Sequence, residues 1–411
     1  MQSENANTSI VYDPGDPATM ADPFAIYDQL REHDPVHWSP ALNAWVITRY
    51  EDVRAVLTGP DMTVDRLTPF YEKLPPKEAE TLREIVHYLN LWLAFQDPPS
   101  HTRLRRVMRT AFATPLIHEM RPGIEAIVDH LLNTLDGCKE VDFIESFALI
   151  VPAYVIMDML SVPREMLPDF KRWSDEMATF IGGARNVGDK YNRAARGCKA
   201  MAGYFRGILE SHRAHPVPGF LDDMVNCGEG DDRLSDDELI ATFILILFAG
   251  HETTTNLIGT SLLGLLQHPD QMKLFKSDPD ITESAVEEFL RYDGPTNALI
   301  RNVAQAHTLH GRTLEKGQRV FLMMNSANRD PTVFDEPNRF DITRNPNRHL
   351  TFGQGVHTCL GLQLAREEGR IAIRRFIERF PDVGFAGAGS FEYIDAMVPR
   401  GLKRFAVRLT R

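Results

Sequence analysis

Basic charge is in short supply in this 411-residue chain: 45 lysines and arginines face 57 acids, a net charge of −12. That deficit argues against a nucleic-acid binder, whose phosphate contacts need a basic surface. Cysteine is scarce too. The four cysteines, at 138, 198, 227 and 359, include no Cys-x-x-Cys pair, so neither a structural zinc site nor a thioredoxin-type motif is indicated. The start, MQSENANTS, is polar and carries no secretory signal, which leaves no reason to expect a disulfide framework. An apolar run of the roughly 20 residues needed to span a bilayer is also missing. The most apolar stretch, LIATFILILFAG at 239–250, runs into His251 and Glu252 and reads as a buried helix. No internal repeat or linker rich in Gly, Ser or Pro divides the chain. The expectation is a polar segment over 1–19 and a single domain over 20–411, cytoplasmic and not inserted in a membrane.

What is present is mostly helical pattern. Residues 21–33, 50–59, 101–112, 120–136, 165–182, 188–212, 236–267 and 281–292 repeat their apolar positions at helical spacing. VHWSPALNAWVITRY (36–50) reads as a β-hairpin, and FLMMNSANRD and FAVRLTR as short strands. The fold class is therefore mainly α with small β-sheets. The longest helix opens on SDDE at 235–238, a Ser-x-x-Glu capping box with acids at the positive end of the dipole. It ends before Pro269, which gives roughly 45 Å at 1.5 Å per residue.

Three segments carry chemistry. In the middle of the long helix, FAGHETTTN (248–256) interrupts the apolar run with an Ala-Gly pair, an acid and three threonines. Glycine costs about 1 kcal/mol in a helix interior and threonine hydroxyls compete for carbonyls. Two readings fit: a local opening of the ladder where a ligand approaches, or close helix packing with threonines capping carbonyls. Ala249, Gly250 and Thr253 share a face. In ESAVEEFLRY, Glu288 and Arg291 are i, i+3 neighbours that can pair. In TFGQGVHTCLG (351–361), Cys359 sits among glycines just before an amphipathic helix. A thiolate there is favoured by the helix N-terminus, with a lowered pKa, and the glycines let a large flat ligand approach the backbone. It can serve as a nucleophile, with His357 as the local base, or as a metal ligand.

Phe352-Gly353-x-Gly-x-His357-x-Cys359-x-Gly closely resembles the haem-binding loop of the cytochrome P-450 superfamily. AGHETT resembles the oxygen-activating segment of that family's long central helix, and DPPSHTRLRR (97–106) its haem-contacting helix. The resemblance runs from about residue 20 to the C-terminus. It implies a soluble bacterial haem-thiolate fold with the long central helix over haem b, and Cys359 as the axial ligand of the iron. Phe352, Gly353 and His357 would belong to the haem-binding loop. His101, Arg105 and Arg301 fall at propionate-binding positions. Ala249 and Gly250 would leave room for dioxygen, and Glu252 with Thr253 would deliver protons. Glu288 and Arg291, with Arg339 from PNRF at 337–340, would form a structural ion-pair network.

The implied activity is a monooxygenase that hydroxylates or epoxidises a lipophilic small molecule. With no flavin or iron–sulfur segment to assign, electrons come from a separate ferredoxin or similar acidic protein and its reductase. Arginine stripes at 103, 106, 109 and at 366, 370, 374 would receive that partner or are solvated helix faces. Substrate contacts expected from the resemblance are Ile85, Leu89, Trp92, Leu245, Ala249, Asn297, Ala298, Leu299 and Met397, with the 172–186 region. Residues 177–190 would form a lid or a plain helix–helix turn. Alternative outcomes on the same haem are oxidative coupling, ring closure or peroxide-driven oxidation. A non-catalytic haem sensor and a cysteine hydrolase are the readings from other classes.

Overall fold

The computed structural model describes residues 10–181, 188–228 and 230–410. Its organising element is the helix Asp236–Gln267, about 48 Å long at 1.5 Å per residue. The capping box is formed in full. Ser235 Oγ accepts from the Glu238 amide at 3.3 Å, and Glu238 Oε2 accepts from the Ser235 amide at 2.9 Å. Both halves of the helix are apolar on nearly every side, and the helices Pro76–Asn90, Ile150–Met159, Lys190–Ala214 and Leu362–Arg379 pack around it. Its hydrophobic surface leaves no face for water.

Beside this helical body lies a five-stranded sheet in the spatial order Val36–Ser39, Ala44–Ile47, Arg319–Met323, Ala298–Val303 and Met62–Thr63. The first two strands form the expected antiparallel hairpin, with Val36 opposite Ile47. Leu402–Arg408 is the strand expected near the C-terminus. The architecture is mainly α with small sheets.

Three expectations change. The segment 321–330 is strand only to Met323, after which Met324–Ala327 is helical. There the buried side chains of Asn325, Ser326 and Asn328 bond Gly294 O, Thr48 O and Thr351 Oγ1, so polar satisfaction rather than β-propensity sets the backbone. The helix Ile150–Met159 is buried almost all round and so shows no period to read. The packed body also begins before residue 20. Tyr12 is fully buried against Tyr27, and its carbonyl accepts from Ser39 Oγ. Among the described residues no helix is long and apolar enough to cross a membrane.

Candidate active site

The segment 351–361 folds as a tight loop because two of its glycines take left-handed conformations, Gly353 at φ 69° and Gly355 at φ 76°. Only glycine adopts these without strain. A side chain at 355 would also approach Leu57 O to 3.0 Å. The Gly353 amide donates to Leu350 O at 2.7 Å and the Cys359 amide to Phe352 O at 2.8 Å. Gly361 then caps the helix Leu362–Arg379. Arg366 lies over the Phe352 ring, 4.7 Å from its centroid, and grips Glu287 with two bonds of 2.6 and 2.8 Å. Burial acts to raise the Glu287 carboxyl, but the bonds from Arg366 and His349 win and hold it at about 2.

The sulfur of Cys359 is enclosed by this loop yet open to an internal cavity of about 420 Å³. Burial pushes its thiol up, while the Gly361 amide, Arg105 and Arg366 pull it down. The expected lowering is therefore overturned for the free thiol: desolvation outweighs the helix N-terminus. A metal ion at the sulfur would reverse this, because a coordinating thiol is deprotonated outright. Cys198, by contrast, is buried away from the cavity and raised to about 12.

Ala249, Gly250 and Thr253 line the same cavity together. The helix runs through them without a break, so the ladder does not open. Thr253 Oγ1 donates to Ala249 O at 2.8 Å, Thr255 Oγ1 to His251 O at 2.8 Å, and His251 Nδ1 to Leu247 O at 2.8 Å. A Cβ at Gly250 would meet Ile156 Cδ1 at 2.9 Å, so a larger residue there would have to displace the end of the Ile156 side chain. Burial raises the Glu252 carboxyl, and Asp175 adds to the effect.

One end of the cavity collects cations. His101 is 1% exposed with both ring nitrogens lacking a partner, and its ring centroid is 4.2 Å from that of His357. Arg105 and Arg301 line the same space. Desolvation, then His101 and Arg301, push His357 down to about 4, and desolvation lowers Arg301 to about 10. An orphaned buried histidine and guanidiniums facing an internal void are unfavourable without an anion. A flat dianion with a metal at its centre answers all of these features: acids at the cation end, metal at Cys359, and a face against Ala249 and Gly250.

A family model, Cytochrome P450, matches residues 46–381. The chain belongs to the cytochrome P450 family. It is 38% identical over 392 residues to vitamin D(3) 25-hydroxylase of Pseudonocardia autotrophica, which covers 94% of both chains. With cytochrome P450 107B1 of Saccharopolyspora erythraea the identity is 37% over 389 residues, 93% of this chain and 94% of that one. Among solved structures, myxobacterial cytochrome P450 CYP267B1 in complex with myristic acid superposes with a TM-score of 0.87 at 32% identity, covering 96% of this chain and 98% of that one. This P450 is thus a monooxygenase of the oxidoreductase class, and haem b is its cofactor.

Against that frame the ion-pair network needs one correction. Glu288 and Arg291 are wholly buried and joined by two 2.7 Å bonds. The second arginine is Arg344, whose Nε lies 3.3 Å from Glu288 Oε2, not Arg339. Arg339 turns its side chain out to Glu336 at 2.9 Å. Its backbone, rather than its charge, points inward: Arg291 donates to the carbonyls of Arg339, Pro337 and Asn328.

The substrate contacts divide. Leu245, Ala249, Ala298 and Leu299 line the cavity. Ile85 and Leu89 do not, because both are fully buried on the core face of their helix. Trp92 packs between Phe95 and Phe248 instead. Asn297 is consumed by Tyr27 Oη and Met397 O, and Met397 packs near Tyr27; Thr296 and Val398 take their places on the wall. Residues 172–181 do not reach the wall either. The proposed lid at 177–190 falls partly on residues outside those described.

Glu368 was not foreseen, since acids are ordinary on an amphipathic helix. It lines the cavity, is 1% exposed, and its Oε2 has no partner. Burial pushes its carboxyl well above the usual range. The folded state therefore holds a proton that the unfolded chain releases above about pH 4.3. Stability falls as pH rises from there toward the raised folded value. Glu368→Gln removes this loss, so its melting temperature should exceed that of the parent by a margin that widens between pH 5 and pH 8. Parallel melting curves across that range would show that Glu368 is ionised in the fold.

Proposed function

We propose that this P450 activates dioxygen with electrons from a separate ferredoxin-type protein. It then inserts one oxygen atom into a lipophilic small molecule by hydroxylation or epoxidation. The observation that supports this reading is that Thr253 and Cys359 line one cavity, with the raised Glu252 carboxyl as the neighbour of Thr253 in sequence. When bound, haem b supplies the iron at which dioxygen is reduced. Cys359 would hold that iron, His101, Arg105, Arg301 and His357 would hold the propionates, and Phe352 and Gly353 would belong to the loop that holds the group.

Glu252 does not itself line the cavity; it stays protonated to a higher pH than an exposed acid, and its protons would reach Thr253 through intervening water. Thr253 can receive them by turning its hydroxyl from Ala249 O toward the void. The apolar wall of Leu245, Ala298 and Leu299 suits a lipophilic ligand, as does the likeness to a myristic-acid complex. We also assign the protein to the cytoplasm, a reading supported by four cysteines that are all free thiols.

The arginine stripes give less support to an acidic electron donor than their spacing suggests. Arg103 pairs with Glu238, Arg106 with Asp232, Arg366 with Glu287 and Arg370 with Glu367. Arg374 bonds Thr282 Oγ1 and the Phe275 carbonyl. What supports a donor at the cysteine loop is Val356, 51% exposed, together with the exposed Arg109.

Turnover with a ferredoxin, its reductase and ¹⁸O-labelled dioxygen tests the reading. One labelled atom in the product is expected; an unlabelled oxidised product would replace it with coupling or peroxide chemistry. In the same assay Thr253→Ala should keep the substrate-induced spin shift but lower product formation by about 10², with the electrons appearing as hydrogen peroxide. Undiminished coupling would remove Thr253 from proton delivery.

A further inference from the structure

Thr296 and Val398 meet the same cavity from segments a hundred residues apart in sequence. Backbone bonds join the two segments. The Asn297 and Ala298 amides donate to Val398 O at 2.8 and 3.4 Å, and the Arg400 amide donates to Pro295 O at 2.9 Å. One side chain completes the seam. Asn297, 1% exposed, donates from Nδ2 to Met397 O at 3.0 Å and accepts at Oδ1 from Tyr27 Oη at 3.0 Å. Residues 394–401 lie between the strands Phe391–Tyr393 and Leu402–Arg408. Among the described residues, every hydrogen bond to Met397 and Val398 comes from Asn297 or Ala298.

The start of the chain grips this seam from outside the cavity. Tyr27, on the helix Phe24–His33, is wholly buried, so its phenol has no water to turn to. Arg400 pairs with Asp293 at 2.6 Å and donates to Met20 O at 2.8 Å and Ala21 O at 3.1 Å. Asp293 precedes the first wall segment and Arg400 follows the second, so a single buried ion pair, tied to the N-terminal carbonyls, spans both. A carboxamide suits position 297 because it accepts from a phenol and donates to a carbonyl at once.

We propose that Asn297 is a positioning residue: oriented by Tyr27, it fixes Val398 relative to Ala298 and Leu299 and so sets the shape that a bound molecule must match. Asn297 does not line the cavity itself. It acts through Val398, and the N-terminal helix thereby takes part in ligand selection without touching the ligand.

The test titrates the haem-loaded enzyme with imidazole, which needs only the iron, and with clotrimazole, an imidazole carrying three aryl rings, following the Soret shift. Asn297→Asp keeps the acceptor for Tyr27 but loses the donor to Met397 O. It should weaken clotrimazole at least about tenfold and leave imidazole unchanged, because the bulky ligand must then order the released segment, and fixing the backbone of about one residue costs that much. Tyr27→Phe should weaken clotrimazole by a smaller factor. Combined with Asn297→Asp it should add nothing, since both act through the same amide. Equal weakening of the two azoles, an unchanged clotrimazole affinity in Asn297→Asp, or additive effects of the two substitutions overturns the proposal. Should Asn297→Asp fail to load haem, Tyr27→Phe, which removes one oxygen atom, decides alone: an unchanged ratio of the two affinities overturns it. Both azoles bind the resting haem, so the result is independent of the electron donor and of the position oxidised.

Discussion

Replacing Cys359 by histidine is expected to abolish the strongly red-shifted Soret band of the reduced carbon monoxide complex and to bring turnover to the detection limit. The structure gives the reason in its own charges. The Gly361 amide, Arg105 and Arg366 all favour negative charge on the sulfur, while burial opposes it. That balance suits a thiolate that is metal-bound and poorly suits a free nucleophile. Thiolate ligation donates electron density to haem iron in a way that imidazole does not. The loop itself should survive, because its shape rests on Gly353, Gly355 and backbone bonds rather than on the sulfur. Haem content should therefore persist while the spectrum changes. An unchanged spectrum would show that another residue holds the iron.

The second large effect is on folding. Glu288→Ala should destabilise the protein by about 3–5 kcal/mol, since it leaves Arg291 buried without its partner. Total stability is only about 5–15 kcal/mol, so little haem-loaded protein should be recovered at 37 °C. Arg291→Ala should do the same and also strand the carbonyls of Asn328, Pro337 and Arg339. Arg339→Ala should leave stability close to that of the parent, as an exposed substitution does. Urea unfolding of the three variants decides the matter. A loss at Arg339 equal to that at Glu288 would restore it to the buried network in place of Arg344.

The two predictions divide along a line that separates local from long-range information. The cysteine loop was legible because its constraints are local: glycines at positive φ, a helix start, and one thiol between them. The capping box at Ser235 was legible for the same reason, and so was Glu288 beside Arg291 at i, i+3. The partner of Glu288 was not. Arg339 and Arg344 both follow Pro337 within seven residues, and only the path of the backbone decides which guanidinium turns inward.

Facing and depth were also invisible. Ile85 and Met397 have the composition of pocket residues, yet the packing of their elements commits them to core, while Thr296 and Val398 meet the cavity one position away from the expected contacts. Glu368 carries no pattern at all, because a single charged residue on an amphipathic helix is ordinarily solvated. Its meaning comes from the low-dielectric cavity that closes around it. The sequence alone determined the family, the central helix and the cysteine loop proposed to hold the iron, since each rests on spacing along the chain. The tertiary structure decided which charges are buried, which are paired and which face the cavity, because burial and pairing arise from residues far apart in sequence.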